Sequence, residues 1–151
     1  MVWRKAVSDA RLMPSLSNTA MPTVLVVDDE TMVRELAARM LREAGYDVVQ
    51  AADGRLAWAL MLEPTTAVDL VLSDVVMPGY TGTDLVALML EHRPQLPIVL
   101  MSGYSPTTLS SRGLHGAPVP LLVKPFKEAD LLEIVARSLR GHPHRDGAPT
   151  T

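Results

Sequence analysis

Five polar side chains of this sequence have the types and positions needed for phosphate or metal chemistry. Asp28 and Asp29 follow one short apolar run, and Asp74, Ser102 and Lys124 each follow a later one. Taken one at a time, these residues do not indicate a function. An aspartate ahead of a helix commonly caps that helix, and isolated lysines and serines are mostly exposed. If the apolar runs are neighbouring parallel strands, all five side chains meet at one edge of a sheet.

Three carboxylates in a small crevice repel one another, so the arrangement needs a compensating cation. Magnesium prefers oxygen ligands and keeps several of its waters, which suits a site of few carboxylates plus a phosphate. We therefore predict a Mg²⁺ site in which Asp29 and Asp74 are best placed as direct ligands.

Asp74 also has the chemistry of a nucleophile, since a carboxylate can attack phosphorus and form an acyl phosphate. Such transfer depends on positioning and on neutralising charge on the phosphoryl oxygens. Lys124 offers a point charge on a long stem, and Ser102 offers a hydroxyl donor. The bond between Lys124 and Pro125 can be cis or trans, and the sequence leaves both isomers open.

The apolar patterns predict strands and helices in strict alternation. Short apolar runs typical of buried parallel strands cover residues 23–27, 47–51, 68–72, 97–101 and 119–123. Helical spacing and helix-ending residues place helices at 31–44, 55–62, 83–92, 106–112 and 128–140. Gly45 is expected directly after the first helix, and Asp53 and Gly54 are expected in a turn.

This alternation predicts a doubly wound α/β fold, with a five-stranded parallel sheet, right-handed crossovers and helices on both faces. Ligands of such sheets bind at the carboxyl ends of the strands, where the candidate residues stand. The domain is expected to span residues 22–141, with irregular tails at 1–21 and 142–151.

Composition narrows the function further. The chain has 151 residues, 48% of them hydrophobic, which suits one packed domain. A net charge of −3 offers no broad attraction for nucleic acid or anionic membrane, and nothing approaches a membrane span. The absence of cysteine excludes disulfides and thiolate sites and agrees with a cytoplasmic location. We expect neither direct nucleic-acid binding nor membrane insertion.

Four segments closely resemble the response-regulator receiver domain of two-component signalling. They are V-L-V-V-D-D-E, D-L-V-L-S-D-V-V-M-P-G, V-L-M-S-G-Y and L-L-V-K-P-F, in this order. The resemblance runs from Thr23 to Leu139 and implies a flavodoxin-like (βα)5 fold with strand order 2-1-3-4-5. The S-G-Y and M-P-G-Y-T-G segments are similar to receivers of hybrid sensor histidine kinases.

The resemblance also implies a role for each candidate residue. Asp74 would be the phosphoacceptor, Asp28 and Asp29 the metal-binding acidic pair, Ser102 the switch hydroxyl, and Lys124 the lysine that contacts phosphate.

Two further positions follow from the same resemblance. The main chain of Val76 would supply another metal ligand. The family often has tyrosine or phenylalanine three residues before the lysine, whereas this chain has Leu121, so we expect a weaker aromatic-type switch. Tyr104 could partly substitute for the missing ring.

The function implied is that of a phosphoacceptor module and not of an enzyme, beyond its own phosphorylation and slow dephosphorylation. A sensor histidine kinase or a histidine phosphotransfer protein would donate the phosphoryl group. The ten residues from His142 to Thr151 leave no room for a helix-turn-helix, so output is expected through a protein partner.

Two other functions use residues of the same types. A phosphohydrolase of the haloacid-dehalogenase type also uses aspartate, lysine, serine and Mg²⁺, but it needs a D-x-D motif where this chain has D-D-E at Asp28 to Glu30. An unphosphorylated receiver-like scaffold would have lost the acceptor, the acidic pair or the lysine, and all of them are present.

Two groups of charged residues outside this constellation are expected to have no role. Arg34, Arg39 and Arg42 share the first helix with interleaved glutamates and are predicted to form an ordinary solvated face. His142 and His144 form an H-x-H pair in the polar tail and are predicted to be solvated.

Overall fold

A computed structural model describes residues 21–103 and 119–141. Its strands are β1 (Thr23–Val27), β2 (Asp47–Ala51), β3 (Leu70–Asp74), β4 (Ile98–Ser102) and β5 (Leu121–Val123). Its helices are α1 (Thr31–Glu43), α2 (Gly54–Leu62), α3 (Gly82–His92) and α4 (Glu128–Arg140). The predicted helix at 106–112, Tyr104, and the tails apart from Met21 lie outside the described residues.

The five strands form one parallel sheet in the order β2-β1-β3-β4-β5, which confirms the predicted architecture. Val27 at the end of β1 lies opposite Ser73 of β3, and Asp74 lies opposite Met101 of β4. The carboxyl ends of the strands therefore meet at one edge, as the sequence analysis required.

Helices cover both faces of the sheet because every other strand residue points to the opposite face. One core contains Leu25, Val27 and Val71 of the sheet, with Ala57 of α2 and Leu85 of α3. Burial on both faces explains why the central strands are apolar without alternation.

The second core lies on the opposite face. Val24 and Leu72 of the sheet pack there against Leu41 of α1 and against Leu131 and Val135 of α4. The helix pairs α1 with α4 and α2 with α3 thus cover opposite faces of the sheet.

Helix α1 ends at Glu43, one residue before its predicted end, and Gly45 directly follows the C-cap residue Ala44, as predicted. Gly45 has a φ of +105°, a conformation that glycine adopts without a Cβ penalty. Its N–H donates to the Arg42 carbonyl at 2.9 Å, and the N–H of Tyr46 donates to the Leu41 carbonyl at 3.0 Å. This pair of bonds is the Schellman motif, which satisfies carbonyls that the helix leaves free. The chain then turns directly into β2.

Helices α2 and α3 each begin one residue earlier than predicted. Asp53 is the N-cap of α2, and its side chain accepts the N–H of Leu56 at 2.8 Å. Thr81 and Asp84 form a reciprocal capping box at the start of α3, a pattern that satisfies two free N–H groups. The capping side chains therefore define these starts.

The predicted bounds of three strands were wrong by one or two residues. Strand β3 was predicted at 68–72 and forms at Leu70–Asp74. Its start is later because the Asp69 carboxylate accepts the N–H of Thr23. Its end is later because Ser73 and Asp74 continue the ladder. Strand β4 shifts by one residue to Ile98–Ser102, and β5 is shortened to Leu121–Val123. Polar residues thus extend β3 and β4 towards the crevice.

Within residues 21–103 and 119–141, none of the helices is long and apolar enough to cross a membrane.

Candidate phosphoacceptor and metal site at the carboxyl edge of the sheet

Asp28 directly follows β1 and is fully buried. Its carboxylate accepts two hydrogen bonds, from the N–H of Glu30 at 2.9 Å and from Lys124 Nζ at 3.0 Å. The interpretation of Asp28 or Asp29 as a helix cap is wrong, since Glu30 occupies the N-cap of α1. One carboxylate oxygen of Asp28 therefore binds Lys124 in the crevice, and the other binds the backbone of the turn before α1.

Lys124 follows β5 and connects two carboxylates across the crevice. Its Nζ lies 3.0 Å from Asp28 Oδ2 and 3.4 Å from Asp74 Oδ1. The side chain is 19% exposed, and its backbone N–H donates to the Ser102 carbonyl at 2.8 Å. The peptide bond to Pro125 is cis. Lys124 is therefore not an ordinary surface lysine.

Asp74 ends β3, the central strand, and is 8% exposed. Burial raises the pKa of Asp74, and the neighbouring negative charge of Asp28 raises this pKa further. The positive charge and hydrogen bond of Lys124 and the backbone amide of Val76 act in the opposite direction without cancelling the rise. The carboxylate is thus poorly solvated although a cation lies beside it.

Lys124 keeps its positive charge in this environment. Burial lowers the pKa of Lys124, but the hydrogen bond to Asp28 and the charges of Asp74 and Asp28 outweigh burial, so that the pKa is raised. The crevice therefore contains one ammonium group at neutral pH.

Asp29 completes a cluster of three carboxylates. One oxygen each of Asp28, Asp29 and Asp74 lie within 4.8 Å of one another, and Asp29 is exposed. Three carboxylates against one ammonium leave an excess of negative charge, and close like charges are unfavourable without a counter-ion. The donor set consists of oxygens alone, so these residues fit the predicted Mg²⁺.

Ser102 and Val76, the remaining predicted site residues, lie at the same edge. Ser102 ends β4, is buried, and stands one residue beyond Met101, the register partner of Asp74. Val76 lies two residues after Asp74 with its side chain largely exposed. Leu121 begins β5 opposite Leu100 and packs against the first core cluster, as expected for an apolar side chain.

One prediction for α1 was wrong. Arg34 is partly buried and does not belong to a purely solvated face, because its Nη1 donates to the Asp28 carbonyl at 2.9 Å and its Nε to Gln50 Oε1 at 3.1 Å. Arg39 and Arg42 are exposed as predicted. The prediction grouped all three because they share α1 with interleaved glutamates, and it did not separate Arg34 from the other two.

Gly82 is a second residue whose importance the sequence analysis missed. A Cβ there would lie 2.4 Å from the Asp74 carbonyl oxygen and 2.8 Å from the Val75 Cα, closer than real Cβ contacts. The N–H of Gly82 donates to the Val75 carbonyl at 2.8 Å. The start of α3 thus packs directly on the backbone of Asp74. The T-G-T-D capping pattern was the signal that could have located this contact.

Comparisons with known proteins agree with this geometry. The model of the response regulator receiver domain family matches residues 24–136. The response regulator protein FleR of Pseudomonas aeruginosa is 36% identical over 118 residues, which cover 78% of this chain and 24% of FleR. The chain spans about a quarter or less of the length of the curated relatives it matches.

Solved structures share the fold. The chemotaxis protein CheY4 of Vibrio cholerae has 34% identity and a TM-score of 0.67, covering 79% of this chain and 99% of that chain. The receiver domain of the hybrid histidine kinase CckA has 36% identity and a TM-score of 0.61, covering 78% of this chain and 98% of that chain. The family match, the strand order and the clustered aspartates agree: the chain belongs to the response regulator receiver domain family.

Proposed function

We propose that this chain is a phosphoacceptor module in which Asp74 receives a phosphoryl group from a phosphohistidine, with Mg²⁺ bound in the acidic crevice. The donor would be a sensor histidine kinase or a histidine phosphotransfer protein. The observation that carries the proposal is the position of Lys124 Nζ, 3.0 Å from Asp28 and 3.4 Å from Asp74, at the strand edge where Asp29 also lies.

The proposed reaction is a displacement at phosphorus. A carboxylate oxygen of Asp74 forms the new P–O bond while the P–N bond to the donor imidazole breaks, and the departing nitrogen keeps the bonding pair and takes a proton from solvent. Burial favours this role, because the poorly solvated carboxylate of Asp74 gives up little hydration when it attacks. Lys124, held by Asp28, is positioned to meet a phosphoryl oxygen.

The three carboxylates would contribute unequally to Mg²⁺ binding. Both oxygens of Asp28 already accept hydrogen bonds, whereas Asp29 is exposed and Asp74 faces the same crevice. We therefore propose Asp29 and Asp74 as direct ligands, with Asp28 acting through water and the Val76 main chain as a further ligand. Bound Mg²⁺ would neutralise charge on the phosphoryl oxygens.

Signalling would follow from the new charge on Asp74. The buried Ser102 hydroxyl is proposed to donate to a phosphoryl oxygen, and the accompanying loop movement shifts the population towards a state that binds a partner protein. The module is proposed to catalyse its own phosphorylation and slow dephosphorylation without acting on other substrates. The hybrid-kinase similarity suggests that it relays phosphoryl groups within a longer pathway.

A small-molecule phosphodonor tests the acceptor directly. With acetyl phosphate and Mg²⁺, intact-mass analysis should show one added phosphoryl group on the wild type and no stable adduct on Asp74→Asn. Asp47→Asn is a matched control, because Asp47 is exposed and starts β2 at the opposite edge of the sheet. Asp29→Asn should be phosphorylated less readily because it binds Mg²⁺ more weakly. Unchanged labelling of Asp74→Asn would refute the assignment.

A further inference from the structure

Arg34 joins the ends of β1 and β2 through its side chain. Its Nη1 donates to the Asp28 carbonyl oxygen at 2.9 Å, and its Nε donates to Gln50 Oε1 at 3.1 Å. Because the guanidinium is planar and rigid, two bonds from different nitrogens define its orientation as well as its position. Arg34 is thereby attached to the turn that carries the acidic pair.

The carbonyl that Arg34 binds belongs to the peptide between Asp28 and Asp29. The orientation of this peptide sets the direction in which the Asp29 side chain leaves the backbone. The Asp28 side chain is also held by Lys124 and by the Glu30 N–H. Asp29 is exposed. The position of its carboxylate beside Asp74 therefore depends on the backbone of the turn far more than the position of the Asp28 carboxylate does.

We propose that Arg34, oriented by Gln50, is a positioning residue for the metal site, which holds the Asp28–Asp29 peptide so that the Asp29 carboxylate faces Asp74. This inference rests on the proposed function, since it concerns Mg²⁺ binding by the same three carboxylates. In this proposal Gln50 contacts neither metal nor phosphate. It orients Arg34, and Arg34 orients the turn that carries Asp29.

Charge and geometry predict opposite effects of removing Arg34. A positive charge near the crevice repels a cation, so loss of that charge alone would tighten Mg²⁺ binding. Loss of an outer-shell partner that orients a ligand instead weakens metal affinity, typically by about 10- to 100-fold. The direction of the change therefore separates a positioning role from a purely electrostatic one.

Mg²⁺ titration of the full chain by calorimetry measures this direction. Arg34→Met should bind Mg²⁺ about tenfold more weakly than the wild type, at the lower end of the range for outer-shell residues. Arg39→Met removes the same charge from an exposed position on the same helix, and its affinity should stay within about twofold of wild type because exposed distant charges are screened. Gln50→Leu should weaken binding without any change in charge.

A metal-free measurement reports the turn itself. The N–H of Glu30 donates to Asp28 Oδ1 at 2.9 Å, so its hydrogen exchange should quicken in Arg34→Met and in Gln50→Leu but not in Arg39→Met. Arg34→Lys, which retains one charged donor, should recover part of the Mg²⁺ affinity. If Arg34→Met proves too unstable to titrate, Gln50→Leu carries the same test.

Two outcomes would overturn the inference. Tighter or unchanged Mg²⁺ binding by Arg34→Met and Gln50→Leu would do so, and so would equal changes in Arg34→Met and Arg39→Met. A wild-type chain that neither binds Mg²⁺ nor becomes phosphorylated would instead overturn the proposed function, and this inference with it. Wild-type binding with unaffected variants would overturn the positioning role alone.

Discussion

Replacing Asp74 with asparagine should stabilise the metal-free domain at neutral pH. The substitution keeps the shape of the side chain and an oxygen that can accept from Lys124, while it removes a buried negative charge. Asp74 is 8% exposed and its carboxylate lies in a cluster with Asp28 and Asp29. Asp74 is thus expected to reduce the stability of the fold that holds it.

The size of the effect follows from opposing contributions. At an effective dielectric constant of about 20, charges on Asp28 and Asp74 at the cluster's 4.8 Å limit repel by about 3.5 kcal/mol. On the same basis, Lys124 at 3.4 Å attracts Asp74 by about 5 kcal/mol. The attraction thus exceeds the repulsion by about 1.5 kcal/mol, and the cost of burying the charge, about 2–3 kcal/mol on this scale, outweighs that difference. Because these contributions nearly cancel, we expect a net gain of about 1 kcal/mol, or roughly 4 °C in Tm.

The effect should depend on pH in a defined direction. The pKa of Asp74 is raised above 3.8, first by burial and then by the charge of Asp28, so the folded state keeps this proton to higher pH than the unfolded chain does. This group therefore lowers wild-type stability as pH rises from below 3.8 through the folded-state pKa. Asp74→Asn lacks this titration, so its advantage should be smallest below pH 3.8 and should grow as pH rises through the raised folded-state pKa of Asp74.

Urea unfolding in EDTA across this pH range measures the difference, with Asp47→Asn as the control for loss of an exposed carboxylate. Adding Mg²⁺ should then stabilise the wild type by about 2.7 kcal/mol at 100 times its Kd, and Asp74→Asn by much less. The reasoning fails if Asp74→Asn is less stable than wild type in EDTA at pH 7. It also fails if the difference between the two proteins does not change with pH.

Two further substitutions test parts of the site. Gly82→Ala should destabilise the domain by about 1–3 kcal/mol through overpacking against the Asp74 backbone. Gly103→Ala should not destabilise it, because a Cβ there meets nothing within 4 Å. Equal urea midpoints of the two variants would contradict the packing argument. Leu121→Tyr should strengthen the response of the face around β5 and α4 to beryllofluoride, a mimic of aspartyl phosphate, because we expect a polar aromatic ring to couple this face to the site more strongly than leucine does. Larger amide NMR shifts in the wild type than in Leu121→Tyr would defeat this idea.

Local sequence patterns were sufficient to predict the architecture. Short apolar runs separated by helical periodicity predicted five parallel strands, and β1, β2 and α4 form at the predicted residues. Gly45 ends α1 where the pattern stops. These features are local, because side-chain periodicity and backbone freedom at glycine act within a few residues. The order in which polar residues follow the strands also predicted which residues would share an edge.

Which atoms meet at that edge depends on the packing of the whole domain. The contact of Lys124 with Asp28 joins residues 96 positions apart, and its geometry depends on how β5 and β1 are placed in the sheet. In sequence Ser73 and Asp74 look like residues that follow a strand, yet ladder partners on β1 and β4 extend β3 through them. Gly82 is required by the close approach of α3, not by its own backbone angles.

Arg34 is the clearest case of a contact that the sequence does not predict. In sequence it is one of three arginines on a charged helix face, and its neighbours along the chain give it no distinction from Arg39. In the fold it lies where the ends of β1 and β2 come together, within hydrogen-bonding distance of Asp28 and Gln50. Helical periodicity tells which side of α1 a residue occupies, but the packing of α1 on the sheet decides which strand ends that side reaches.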